Sequence, residues 1–523
     1  MGFNDSMIAL ANTIRAKAGV AGKLTITGMI SAVNSIVTGE TGDLTPLINR
    51  TISTTVHIPA SATLVGPYAF YSCTNLSSAV IEHGVANISH CAFASTSLKN
   101  IAIPSSVLSV HSGAFEGCAQ LSRVSMYLNT VAHSSAFDAN VNKTLYLSGT
   151  PTYSSIGDWK YSSVQWLNGI NTDSNITSIG TGAFYYCSLS SAVLSNVSYI
   201  GPNAFEECNR LKYISMPDGV TNIPSACFRY CDTFSRVSLG ANVTTIGREA
   251  FAYTKLKSVN FVSSEDEDYA SAIFSSGLMT IEQGAFYNCP MDMVYLPVTV
   301  TTIGPSAFAS NSLIEINFPE NITSIGNDAF SSCGRLLSVS TPDGVTYGGG
   351  AFRNCNVLIE AQVGSTVMIA NHMFYACPKL SSVILPNNLT TIGSEAFRHC
   401  TLLSSIAIPN TVENISPFAF ANCGLSAFTL PAGVKIISSG VFCGCSNLST
   451  IHVDYASRID YAAFHSCVAV SSAYLGASVT SINSGAFGNV PALEYISCGF
   501  RSGAVEGAPW GVNNPGLRIE YAD

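Results

Sequence analysis

This chain has little charge. Only 11% of its 523 residues are Asp, Glu, Lys or Arg, against about 25% in ordinary soluble proteins. The net charge is −9 and the 23 lysines and arginines form no stripe. That speaks against nucleic acid, because neutralising phosphates takes clustered cations. No apolar run reaches the roughly 18 residues that a membrane helix needs, so no insertion into a membrane is expected. The opening MGFNDSM lacks a basic stretch followed by an apolar core, so no secretory signal is expected. Zinc-protease, nucleophile-elbow, phosphate-loop and dinucleotide motifs are missing, and the nine histidines hold no shared position. No catalytic residue, metal or cofactor is therefore assigned. His83 and His90 are a weak metal pair. Glu206 or Glu207 with Asp232 could form a glycosidase carboxylate pair, but nothing selects them.

What is present is a period. Phenylalanines fall at Phe70, Phe93, Phe115 and Phe137, then at Phe184, Phe205, Phe228 and Phe251, then from Phe286 to Phe487, mostly 22 or 23 residues apart. A fixed period in this range marks stacked repeats. Residues 380–400, LSSVILPNNLTTIGSEAFRHC, show the unit. Val383 and Leu385 alternate as in a strand. Pro386 cannot donate to a ladder and closes it. Ile392-Gly393 follows, where glycine is expected to supply a turn conformation. A turn, or one and a half turns of helix, then carries Phe397 and Cys400. The same offsets recur: a proline 11 residues before the phenylalanine, as at Pro319, Pro386 and Pro409, and a cysteine three after it in thirteen repeats. Phe308, Phe330, Phe397 and Phe420 are expected in the core. The ladder cysteines are expected to be buried, reduced thiols.

This unit resembles the BspA-type leucine-rich repeat, on residues such as Ile325, Gly326, Ala329, Phe330, Cys333, Leu336 and Val339. The resemblance implies a β-rich, right-handed solenoid of about 19–20 repeats with little helix. The expected organisation is a helical N-terminal attachment or capping module with its linker over residues 1–45, the solenoid over 46–506, and a C-terminal capping segment over 507–523. In the first, Met7, Leu10, Ala11 and Ile14 mark one helical face, and Ile26, Met29, Ile30, Val33 and Val37 a second. Ile14-Arg15, Lys17, Gly19, Lys23-Leu24-Thr25, Met29 and Ile36 resemble a module of bacteriophage tail and minor structural proteins. A helical cap for the first repeat is the other reading. In the last, Leu517, Ile519 and Tyr521 alternate as a strand, read as covering the final sheet edge.

The period breaks twice. Phe137 and Phe184 are 47 residues apart, and Trp159, 22 after Phe137, is read as filling the slot. Phe251 and Phe286 are 35 apart, which leaves about 12 extra residues around the acidic run from Ser263 to Tyr269. Insertions map to loops, often on a binding face, although this one lacks the ligand spacing of a calcium loop. The candidate receptor contacts are therefore Tyr161, Trp166, Glu265, Asp266, Tyr269 and Trp510, although the tryptophans also suit packing. Neutral hydroxylated strands suit sugars, or simply a solvated exterior.

The leading functional reading is a phage tail fibre or receptor-binding protein in the virion. Residues 1–40 would contact other tail proteins, and the solenoid would meet a host receptor, polysaccharide or protein; assembly as a homo-oligomer is a further expectation. The alternative is a bacterial surface or secreted adhesin. A depolymerase is a third reading, with no catalytic group to support it.

Overall fold

The alternating segments of successive repeats pair with one another, all in parallel. The computed structural model describes residues 54–138, 143–259, 271–273 and 277–523. The helical module expected over residues 1–45 lies outside them, as do Glu265, Asp266 and Tyr269. The chain divides into two compact units, Met1–Val220 with Tyr230–Phe234, and Thr221–Arg229 with Ser235–Asp523. Each is built of β-solenoid coils, about 19 turns in all, with no helix among the described residues.

In the first unit, Asn100–Ala102, Arg123–Tyr127, Lys143–Ser148, Leu167–Thr172 and Ser191–Val193 make a five-stranded parallel sheet. The short two-residue steps build a separate ladder from Leu64–Val65, Asn87–Ile88, Ser109–Val110 and Val131–Ala132. In the second unit the equivalent ladder runs through six strands: Asn222–Ile223, Thr245–Ile246, Thr280–Ile281, Thr302–Ile303, Ser324–Ile325 and Thr346–Tyr347. Each pairs its Ile or Tyr with the Ile of the next rung. These apolar members are buried while the polar ones are not, the alternation a pleated strand imposes. The proline at the strand end then accepts from the amide three residues on, as in Leu389 to Pro386 at 3.2 Å and Val412 to Pro409 at 3.0 Å.

The corner carrying the phenylalanine is a turn. Its amides alternate between two kinds of partner. Those of Glu395, Phe397 and His399 donate to Pro417, Ala419 and Ala421 of the following repeat at 3.1, 2.8 and 2.9 Å. Those of Ala396, Arg398 and Cys400 donate three residues back within the same turn. The turn therefore forms its own inter-repeat ladder, and no buried amide is left over. The residues two before and two after the phenylalanine take positive φ, for example Ser306 and Ser310 or Glu395 and His399. The glycine of the Ile-Gly step has a different reason from the one expected. Gly326 and Gly393 are not among the positive-φ residues. A Cβ at Gly326 would lie 2.5 Å from the Pro305 nitrogen, and one at Gly393 would lie 2.7 Å from the Asn371 nitrogen. Close approach of the preceding rung excludes a side chain there.

The core is a stack of rings. Phe70, Phe93, Phe115 and Phe137 follow one another at 5.0–5.2 Å between centroids in the first unit. Phe308 and Phe330 are 5.4 Å apart at 4°, and Phe397 and Phe420 are 5.4 Å apart at 2°. Carbon atoms touch at about 3.5–4 Å, so near-parallel rings this far apart are offset, the arrangement aromatic quadrupoles favour. All four expected core phenylalanines are 0% exposed.

At each break one parallel ladder runs on: the long strands Arg123–Tyr127, Lys143–Ser148 and Leu167–Thr172 at the first, the short steps at the second. Phe251 and Phe286 stack at 5.4 Å and 8° despite their 35-residue separation, and Thr245–Ile246 pairs directly with Thr280–Ile281. At the other break, Tyr161 rather than Trp159 takes the slot. Tyr161 stacks on Phe184 at 5.6 Å and 7°. The Trp159 amide donates to Thr181 at 2.8 Å, the bond made two residues before the slot in other turns. Trp166 packs on Phe137 at 4.5 Å and 50°.

Candidate recognition surface

Inward positions repeat and outward positions do not. At the slot minus two stand Tyr68, Trp159, Asn203, Glu249, Ser306, Asp328, His372, Glu395 and Phe418 in some repeats, glycine in five others such as Gly182 and Gly440, and the buried Cys91, Ala226 and Ala462 in three more, all at positive φ. The turn ladder fixes the backbone through main-chain atoms alone, so the side chains there are free to differ.

Three expected contacts are corrected by their burial. Tyr161 is 4% exposed because it fills a phenylalanine slot, Trp166 is 2% exposed, and Trp510 is 0% exposed. Trp166 Nε1 donates to the Ser134 carbonyl at 3.1 Å, and Trp510 Nε1 to that of Glu506 at 2.9 Å. Both indole N–H groups are thus satisfied from within. A partner meeting this surface as it stands reaches none of the three side chains. At the C-terminus, Arg518–Tyr521 pairs in parallel with Tyr495–Cys498, so the last segment extends the ladder by one rung.

Among the aromatics that do face outward, sequence reasoning put Trp159 in the slot and passed over Tyr186 and Tyr461. Trp159, Tyr186 and Tyr461 are 51%, 46% and 60% exposed. Trp159 carries a legible signal: an aromatic two before the slot, with a glycine at the same place one repeat later, whereas Tyr461 stands three before Phe464. A Cβ at Gly182 would sit 2.3 Å from Trp159 Cε3, and one at Gly485 would sit 2.5 Å from Tyr461 Cε2. Phe418 lies over Gly440 in the same way. Each ring needs the bare backbone beneath it.

Two grooves lie elsewhere. One of about 730 Å³ in the first unit is lined by Thr177, Val193, Ser195, Ser198, Tyr213 and Asp218. One of about 360 Å³ in the second has Glu413, Lys435, Arg458 and Asp460 at its walls. Glu206 is bonded by the Asn203 amide, and Glu207 accepts from the Tyr185 hydroxyl at 2.9 Å. Among the described residues no group of three His, Cys, Asp or Glu could hold a metal, and no helix is long and apolar enough to cross a membrane.

The cysteines are free, and all but Cys443 are buried. The ladder thiols share one partner. Cys333, Cys355, Cys377, Cys400 and Cys423 each donate to the carbonyl of the phenylalanine one repeat back, at 3.0–3.3 Å. Where the repeat lacks cysteine, Thr96, Thr254 and Asn311 donate to phenylalanine carbonyls instead. Burial pushes the thiols of Cys187, Cys289, Cys333, Cys377 and Cys445 up to about 12, because the charged form loses its water. They are hydrogen-bond donors in a core, not nucleophiles.

Comparison with known proteins agrees with this architecture. The family model described as "BspA type Leucine rich repeat region (6 copies)" matches residues 49–163, 154–272, 265–368 and 367–494. A leucine-rich repeat protein from Bacteroides ovatus is 20% identical over 81% of this chain and 92% of its own, with a TM-score of 0.49. A leucine-rich cell surface protein from Faecalibacterium prausnitzii is 18% identical over 78% and 89%, with a TM-score of 0.25. The pneumococcal vaccine antigen PcpA is 14% identical over 81% and 89%, with a TM-score of 0.28. No curated protein matches. The matches to the repeat model begin at residue 49, and the likeness of the N-terminal residues to phage tail modules gains no support. The constant inward ring, thiol and proline, together with a family match spanning most of the chain, establish that this protein belongs to the BspA-type leucine-rich repeat family.

Proposed function

We propose that the chain is a non-enzymatic recognition scaffold displayed at a bacterial cell surface, an adhesin of the BspA type. One observation carries this reading: within a single chain the buried positions are held nearly constant while the exposed turn positions vary from repeat to repeat. A structural rod has no need of that variation, whereas a binding surface is made of it. The low charge favours neutral polar partners, a polysaccharide or a protein face, over nucleic acid. The tail-fibre reading rested on residues 1–40, whereas the adhesin reading draws on the repeats themselves.

Antibody raised against the solenoid tests the location. It is expected to label intact cells of the bacterium that makes the chain, and protease treatment of those cells should remove the label. Label confined to the tails of phage particles would overturn the surface reading in favour of the virion.

A further inference from the structure

The turn around Trp159 is unlike the others in what it exposes. Trp159 holds φ at 56°, a conformation a bulky residue adopts only under constraint. Its indole is half exposed and lies against the backbone of Gly182, where a Cβ would meet Cε3 and Cζ3 at 2.3 and 2.4 Å. Tyr185 meets it edge-on, with centroids 5.7 Å apart at 72°. Tyr185 is in turn tied to Glu207 by its hydroxyl at 2.9 Å. The ring is thus held on one side by glycine and at its edge by a tethered tyrosine.

Polar groups stand in its own turn and in the next one. Asp158 is exposed, and its Oδ1 accepts from the Thr181 amide at 2.7 Å. Tyr186 is exposed, and its carbonyl accepts from Gln165 at 2.8 Å, with Ser188 donating to the same Gln165. The adjacent cation, Lys160, turns inward to the Leu128 carbonyl. A fixed aromatic plane, a carboxylate next to it in the chain and a neighbouring lysine turned inward form one chemical pattern. An anionic ligand would meet Asp158 and Glu207. A purely aliphatic partner would bury the Asp158 carboxylate with no donor for its second oxygen.

We propose that this turn is a saccharide-binding subsite for a neutral polysaccharide. A pyranose presents one face of polarised C–H bonds to the negative face of the indole, while its equatorial hydroxyls donate to Asp158 and to the Tyr186 side. Few, well-placed polar groups around an apolar surface are what fixes such a ligand. This rests on the recognition reading above and narrows its partner at one place.

The test is affinity electrophoresis of the full chain in gels containing laminarin, galactomannan or hydroxyethylcellulose, with heparin as the anionic control. At least one neutral polymer should retard the chain. Trp159→Ala should weaken that retardation about tenfold or more, and Trp159→Phe should keep part of it. Because the ring is outward, both variants should melt as the parent does. N-bromosuccinimide should oxidise Trp159 ahead of the buried Trp166 and Trp510, and the retarding polymer should protect it. Failure of all three neutral polymers, retardation by heparin alone, or unchanged binding by Trp159→Ala would each overturn the subsite. Surface labelling of cells would be untouched by those failures, so the two readings fall separately.

Discussion

Replacing Phe397 by alanine should destabilise its region of the second unit by about 3–5 kcal/mol, the range for emptying a buried phenylalanine site. Phe397 is 0% exposed and stacks on Phe374 at 5.5 Å and on Phe420 at 5.4 Å. Its amide donates to Ala419 at 2.8 Å and its carbonyl accepts the Cys423 thiol at 3.0 Å. The substitution removes two ring contacts and leaves the polar bonds around an empty space. In a repeat array each coil touches only its neighbours, so the loss should be local. Hydrogen exchange followed by mass spectrometry should show faster exchange in the turns of Phe374, Phe397 and Phe420 and little change in the first unit. Parental exchange in those three turns would mean that the ring stack contributes nothing.

Raising the pH should unfold the chain well before its backbone is at risk. The folded thiols of Cys187, Cys289, Cys333, Cys377 and Cys445 are pushed up to about 12 from an ordinary value of 9.0. Above pH 9 the unfolded chain releases these protons while the folded chain keeps them. Stability then falls with rising pH, because the unfolded state binds fewer protons. The contribution is fully present below pH 9 and is lost progressively between about 9 and 12. Several thiols act together, so the urea midpoint should drop steeply in that window. Replacing these five cysteines with alanine should flatten the alkaline limb. A midpoint independent of pH from 9 to 11 would show that the thiols are not held protonated by the core. Below pH 9, thiol reagents should find few reactive groups until denaturant is added.

Much of this was legible because a repeat writes each packing rule many times. The proline, the Ala-Phe pair and the cysteine each mark a place where one residue type fits between neighbouring coils. Their spacing therefore reports the coil itself. The reading failed where a rule was written only once. Trp159 lies at the expected distance from Phe137, yet the slot fell to Tyr161, because the left-handed turn position two residues earlier is what Trp159 occupies. Distance alone does not separate those places; the following Gly182 does. Tyr161, Trp166 and Trp510 suggested contact because aromatics are enriched at interfaces, but the same area serves packing equally well. The Ile-Gly step was read as a turn, yet its glycine answers to the preceding rung 22 residues away, a constraint that only stacking reveals. The extra residues between Phe251 and Phe286 were visible as a count. That the ladder closes directly across them, Thr245–Ile246 on Thr280–Ile281, follows from the register of the strands.

The division of labour between inward and outward positions can be measured in one experiment. Binding of the purified full chain to intact cells bearing its partner surface is followed by flow cytometry, alongside a variant carrying Trp159→Ala, Tyr186→Ala and Tyr461→Ala. All three side chains are exposed, so the variant should melt as the parent does and yet bind about tenfold or more weakly, a difference of roughly 1.4 kcal/mol. Undiminished binding by the folded variant would contradict the assignment of recognition to the outward turn positions.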